Sequence, residues 1–292
     1  MKKRATPPKG IQSIEIGGRL LDALTRAQGP LNLGALAQEV RMSPSKARRY
    51  LVSFGRIGLV SQDEFTSRYD FGWFALRLGL AALSRSDVLR QSRPVLARLR
   101  EKLNQTTALV LWLAEGPTVV HFEPSDRGLL RLVAPLGATL PLLGTAAGRI
   151  FAAFGPPTLV DMQVAREIKS DEERPYTKPV SRAQAKRLID DARRRGLSRT
   201  VGEAAQGVCT MAVAVRDSQG AILAAIVVLG HRGLLDASWN GGVAMALRAA
   251  AAELEQALGH RATTNSDRHT GPAQRPVGGR TTRTVRSRRL AA

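Results

Sequence analysis

The chain has 292 residues, of which 43% are apolar, enough for one large or two ordinary domains with cores of their own. Its 44 Lys/Arg against 24 Asp/Glu leave a net charge of +20, far beyond what solubility requires; the partner this implies is a polyanion, nucleic acid before an anionic membrane. A single cysteine, Cys209, and four scattered histidines, His121, His231, His260 and His269, argue against a disulfide framework and a zinc site; no cofactor is expected. No apolar run is long enough to span a bilayer. The basic start MKKRATPPKGIQS has no apolar run behind it, so a cytoplasmic protein without a signal peptide or membrane partner is expected.

The charge is concentrated at the two ends. Residues 1–60 hold eleven Lys/Arg and three acids, and residues 260–292 hold eight Arg and one acid, so the ends hold +8 and +7 of the +20 and the middle is close to an ordinary globular domain. Residues 1–10, with two prolines and no periodicity, read as a disordered basic arm. A helical period starts at Ile11, where Ile14, Leu20, Leu21 and Leu24 form a stripe that ends at Gly29-Pro30. Asn32 can cap a short second helix with Leu33, Leu36, Ala37 and Val40 on its face. After Arg41-Met42, Ser43 is placed to cap a third helix, with Pro44 at its first position and an end near Gly58. "LVSQDEFTSRYDFG" then reads as a hairpin. Three helices and a hairpin within residues 11–72 make the layout of a winged helix-turn-helix.

"WFALRLGLAALSR" (73–86 with its flank) carries more apolar surface than one helix face needs, as a helix buried between domains or subunits would. "DVLRQSRPVLARLREKLN" continues as an amphipathic helix. From Thr106 the period changes to that of strands: "TALVLWLA" and "TVVHFEP" flank Glu115-Gly116-Pro117, and "LLRLVAP" follows. "LPLLGTAAGRIFAAFG" passes from a turn at Gly144 into a helix stopped by Gly155-Pro156-Pro157. Ser181 opens a helix that ends at Gly196, and "LSRTV", "VCTMAVAVRD" and "AILAAIVVLG" read as strands. A helix over about 239–258 closes an α+β domain, 87–258, with a mostly antiparallel sheet. The Arg-rich remainder, 259–292, lacks core-forming periodicity and is expected to be disordered.

Rotation by 100° per residue sorts the third helix into two sides. Ala47, Tyr50, Leu51 and Phe54 fall together and face the first two helices, while Ser45, Arg49 and Val52 lie opposite. Ser45 and Arg49 are therefore the candidates for base edges, since Arg can bond both guanine acceptors. Lys46 and Arg48 on the flanks, with Ser43 at the helix start, suit phosphates, and Arg68 in the wing suits the backbone or minor groove.

These segments resemble the IclR-type bacterial transcriptional regulators over about residues 11–258. The resemblance is carried by "IQSIEIGGRLLDAL", "LNLGALAQEVRMSPSKARRYL", "RYDFG", "LPLLGTAAGRIFAAF" and "GVCTMAVAVRDSQGAILAAIVV", in that order. It implies a winged-helix domain, a linker helix used in dimerisation, and a GAF-like effector domain that senses a small organic molecule, often a carboxylate. Arg41 departs from the pattern, which has glycine in the helix-turn-helix turn; a non-glycine residue held in a left-handed conformation there costs about 1–2 kcal/mol.

In "LLGTAAGR" the small residues let a ligand approach the backbone, and a helix start favours a carboxylate. Gly144 and Thr145 belong to that turn, and Ala146 and Ala147 match the family's small effector-holding residues. The resemblance also points to Thr200 and Thr210, with Cys209 beside the latter, and to Glu203, which matches a family acid. The expected function is a DNA-binding regulator, a homodimer or dimer of dimers on a palindrome-like operator, modulated by a small organic acid. The alternatives are a sequence-independent architectural DNA binder, or an enzyme on the C-terminal domain. No Ser/His/Asp set, paired carboxylates or P-loop emerges to support an enzyme.

Overall fold

The computed structural model describes residues 10–27, 29–126, 135–169, 180–203 and 206–266. The N-terminal unit consists of α1 (Gln12–Arg26), α2 (Leu33–Glu39), α3 (Pro44–Arg56) and the hairpin β1 (Val60–Gln62) and β2 (Tyr69–Phe71). Leu20, Ala23, Leu24, Leu36, Ala37, Ala47 and Leu51 make its core, closed by Val60 and Tyr69 of the hairpin. Ile14 was expected in the α1 stripe but is 70% exposed; the buried stripe begins at Gly17. There α1 comes so close to α3 that a β-carbon on Gly17 would sit 2.8 Å from the Phe54 ring. The hairpin is fastened to the start of α2, because Leu31 and Tyr69 exchange backbone hydrogen bonds of 3.0 and 2.7 Å.

Two of these helices end in the same way. After α3, Leu59 N–H donates to Phe54 C=O (2.9 Å) and Gly58 N–H to Gly55 C=O (2.9 Å), with Gly58 at φ +72°. After α2, Met42 N–H donates to Ala37 C=O (2.9 Å) and Arg41 N–H to Gln38 C=O (3.1 Å). This is a Schellman ending, which needs a left-handed residue directly after the cap. Arg41 adopts φ +54° to supply it, so the turn keeps its shape and bears the strain of the missing glycine.

α4 (Trp73–Arg85) leads to α5 (Asp87–Leu103), and Ser86 caps α5 by accepting from Leu89 N–H. The second unit is a five-stranded sheet in the order β4-β3-β7-β6-β5, with every strand pairing antiparallel among the described residues. Its strands are β3 (Thr106–Leu113), β4 (Gly116–Glu123), β5 (Leu197–Val201), β6 (Val208–Arg216) and β7 (Ile222–His231). α5 and α9 (Gly242–Ser266) pack on one face. α6 (Ala146–Phe154), α7 (Pro157–Lys169) and α8 (Arg182–Arg195) cover the other. β6 shows why two cores form: Cys209, Met211, Val213 and Val215 enter the α9 core, while Ala212 and Ala214 enter the α6 core.

α8 has the expected start and stop: Ser181 and Gln184 form a reciprocal capping box, and Gly196 takes φ +62°. α7 was not expected. Gly155-Pro156-Pro157 was read as a stop, yet Pro157 is the first residue of a new helix, where its missing N–H costs nothing. α9 runs past the expected limit at residue 258 to Ser266. The strand expected in "LLRLVAP", the basic arm up to residue 9 and the tail from 267 lie outside the described residues.

Candidate DNA-contacting surface and effector cavity

On α3 the apolar side is buried as the helical wheel requires, with Ala47 0% and Leu51 2% exposed and Tyr50 and Phe54 half-buried against the same core. Ser43, Ser45, Lys46, Arg48 and Arg49 are all exposed. Among the described residues no carboxylate lies within ion-pair distance of Lys46, Arg48, Arg49 or Arg68, so these cations are open to an external anion. Ser43 occupies the cap position, but its side chain makes no capping bond. Its Oγ lies 3.4 Å from Ser45 Oγ, and backbone N–H groups of Lys46 and Ala47 take the Ser43 carbonyl instead. The hydroxyl expected to cap the helix therefore stays on the outer surface.

Among the described residues nothing buries α4. None of its residues is buried, and Trp73, Leu76 and Leu80 are 62, 65 and 57% exposed.

In the second unit a cavity of about 50 Å³ lies between the sheet and the start of α6. Ala108 and Val110 of β3, Val119 and Phe122 of β4, and Val227 and Leu229 of β7 line it together with Leu140. Thr145, Ala146, Ala147 and Thr210 complete the wall, so four of the expected effector residues meet at one place. The two hydroxyls are already engaged. Thr145 Oγ1 donates to Pro141 C=O (2.8 Å) and accepts from Gly148 N–H (3.0 Å), capping α6. Thr210 Oγ1 lies 2.6 Å from Thr200 Oγ1, its cross-strand neighbour, which is fully buried. Thr200 does not line the cavity and meets it only through this contact with Thr210. Ala146 and Ala147, the first two residues of α6, line the cavity, so the N-terminus of the helix borders it.

The other expected residues are elsewhere. Gly144 lies in the loop before α6 and does not line the cavity. Cys209 is next to Thr210 in sequence, but strand alternation sends it through the sheet into the α9 core. Burial there raises its thiol pKa against the opposing effect of Arg232 and Arg199. Glu203 pairs with Arg149, a residue that sequence reasoning passed over. Arg149 is 7% exposed and binds Leu143 C=O through Nε (2.8 Å) and Arg199 C=O through Nη1 (2.9 Å), besides the Glu203 carboxylate. From the other side, the Glu167 carboxylate of α7 accepts from Leu142 and Leu143 N–H at 2.7 and 3.0 Å. The loop entering α6 is thus held between a guanidinium and a carboxylate. Gly148 is pressed against that loop: a β-carbon there would lie 2.0 Å from the Pro141 carbonyl oxygen. Among the described residues no group of three metal-ligating side chains comes together, and no helix is long and apolar enough to cross a membrane.

Known proteins share both halves of this arrangement. The IclR helix-turn-helix domain matches residues 13–64, and the bacterial transcriptional regulator IclR C-terminal domain matches residues 80–256. Transcriptional repressor IclR of Escherichia coli is 27% identical over 223 residues, covering 75% of this chain and 80% of its own. The crystal structure of Pseudomonas aeruginosa HmgR is 34% identical, covers 85% of this chain and 98% of its own, and superposes with a TM-score of 0.53. An IclR homolog from Microbacterium hydrocarbonoxydans, crystallised in complex with 4-hydroxybenzoate, shares the fold at 19% identity and a TM-score of 0.67, covering 85% of this chain and 99% of its own. The chain belongs to the IclR family of bacterial transcriptional regulators, with an N-terminal DNA-binding and a C-terminal effector-binding domain.

Proposed function

We propose that this regulator binds a palindrome-like operator as a homodimer or dimer of dimers, and that a small organic acid with an apolar body modulates the binding from the cavity at the start of α6. The cavity wall carries the reading: its hydroxyls are engaged by protein partners, its remaining side chains are apolar, and the N-terminus of α6 borders it. Such a site favours an apolar body with a carboxylate at one end. The 4-hydroxybenzoate of the Microbacterium homolog is a ligand of that class. At about 50 Å³ the cavity is far below the ~300 Å³ or more of a site that encloses an organic ligand. Entry of an effector therefore has to widen the space between the sheet and the start of α6, and that change is the differential contact through which a ligand shifts a conformational equilibrium.

On the DNA side, Ser45 and Arg49 face base edges, whereas Lys46, Arg48 and the start of α3 at Ser43 hold phosphates. Arg68 adds a contact from the wing. The uncovered face of α4 supplies the subunit interface, so that two-fold protein symmetry meets two-fold DNA symmetry. Footprinting of the full chain on its own upstream region tests the reading: one protected site with two half-sites is expected. Uniform protection with a steep salt dependence would instead favour an architectural binder.

A further inference from the structure

At the apex of the wing stands an aromatic ring with nothing over it. Phe65 is 95% exposed and takes no part in the core that Val60 and Tyr69 of the same hairpin help to close. The ring borders a shallow groove that it shares with Pro30, Gln62, Arg68 and Asp70, and it stays exposed there.

The loop that carries Phe65 is firmly built. Asp63 Oδ1 accepts from Thr66 N–H (2.7 Å), Thr66 Oγ1 (2.7 Å) and Phe65 N–H (3.2 Å). Asp63 N–H donates to Arg68 C=O (2.8 Å), Ser67 N–H to Asp63 C=O (2.9 Å), and the Gln62 side-chain amide to Ser67 C=O (3.1 Å). Ser67 takes φ +54° to close the turn. The hydrogen bonds from Thr66 N–H and its hydroxyl, and then from Phe65 N–H, hold the Asp63 carboxyl below its usual pKa. Asp63, Glu64 and Asp70 outnumber Arg68 across the hairpin, so the apex carries no net positive charge with which to clamp a phosphate; what it holds out at its end is the ring.

We propose that Phe65 is a wedge: with α3 in the major groove, the ring enters the adjacent minor groove and partly unstacks one base step, bending the duplex. The inference rests on the assignment of α3 as the DNA-contacting helix. The wing cannot drift from that helix, since β1 follows α3 through the Gly58 turn and β2 is bonded to Leu31 ahead of α2. Apolar side chains inserted between base steps are a known way to kink DNA, and Phe, Leu, Ile and Met all serve. A phosphate clamp would need a net positive tip; a wedge needs a rigid, apolar one.

The test uses the full chain and the duplex that it enriches from a randomised pool. Affinity, its salt dependence and the bend angle from circularly permuted probes are compared for the wild type, Phe65→Ala and Phe65→Leu. Phe65→Ala is expected to bind about tenfold more weakly, with a smaller bend and an unchanged salt slope, because no phosphate contact is lost. Phe65→Leu keeps most of the bend. Thermal melting of both variants should match the wild type, since the ring packs on nothing. Wild-type affinity and bend in Phe65→Ala would overturn the proposal, as would a loss of affinity with the bend unchanged or with a reduced salt slope. If the wild type enriches no duplex, the assignment of α3 fails and the wedge falls with it; enrichment by the wild type with an indifferent Phe65→Ala removes the wedge alone.

Discussion

Valine in place of Thr210 removes one hydroxyl from a pair whose oxygens are 2.6 Å apart, Thr200 being fully buried and Thr210 7% exposed. Valine matches threonine in shape, so the change is almost purely one of hydrogen bonding. The Thr200 hydroxyl is left in the interior with no other hydrogen bond among the described residues. An orphaned buried hydroxyl costs about 1–3 kcal/mol, and the same holds for Thr200→Val. With both residues changed, no polar group is left unpaired, and the double variant should lose less than about 1 kcal/mol. The expected coupling is therefore about 1–5 kcal/mol of recovery relative to the summed single losses. Urea unfolding of the full chain, followed by the fluorescence of Trp112, reads the effector-domain transition, because that ring stacks edge-on against Phe151 of α6 at 5.8 Å. Losses that add within about 0.5 kcal/mol would refute the reasoning, since they would show that the two hydroxyls do not depend on each other.

Arg41→Gly should stabilise the DNA-binding domain by up to about 1 kcal/mol, since relief of left-handed strain outweighs the flexibility that glycine adds. Differential scanning calorimetry checks it, and an unchanged or lowered transition would count against strain at this turn. Arg49→Ala should abolish discrimination between the operator and random DNA. Lys46→Ala should weaken both equally and reduce the salt slope by about one. Equal losses from the two variants on both DNAs would remove the distinction between base and phosphate contacts. Leu76→Glu combined with Leu80→Glu should lower the oligomeric state seen by light scattering, and an unchanged mass would place the subunit interface elsewhere.

The sequence was most informative where one periodicity decides one face. The α3 wheel separated Ala47 and Leu51 from Arg49 and Ser45, and burial follows that division. The same reasoning overreached at Ile14, where the period fits but no described residue buries the side chain. Pro157 was misread because a proline both stops one helix and starts another; only the apolar residues beyond it, such as Val160, which enters the α6 core, distinguish the two. Cys209 could have been separated from Thr210 by alternation alone, since neighbours in a strand face opposite sides. The Thr200–Thr210 bond was not legible, because it depends on strand register, which no local pattern encodes. Arg149 was overlooked for another reason. A buried arginine defies composition, and its partners, Leu143, Arg199 and Glu203, come from three separate segments.

The central claim is that occupancy of the α6 cavity and operator affinity are linked, and Ala147→Leu tests it most directly. The leucine side chain fills the cavity wall without touching the DNA-contacting surface. A panel of small aromatic and branched carboxylates is titrated against the full chain, with thermal stability and operator affinity measured side by side. The account predicts that at least one acid raises the wild-type transition and changes DNA affinity, with DNA changing affinity for that acid by the same factor, and that Ala147→Leu loses both responses but still binds DNA. An acid that acts equally on wild type and Ala147→Leu, or one that stabilises the protein without altering DNA affinity, would contradict it.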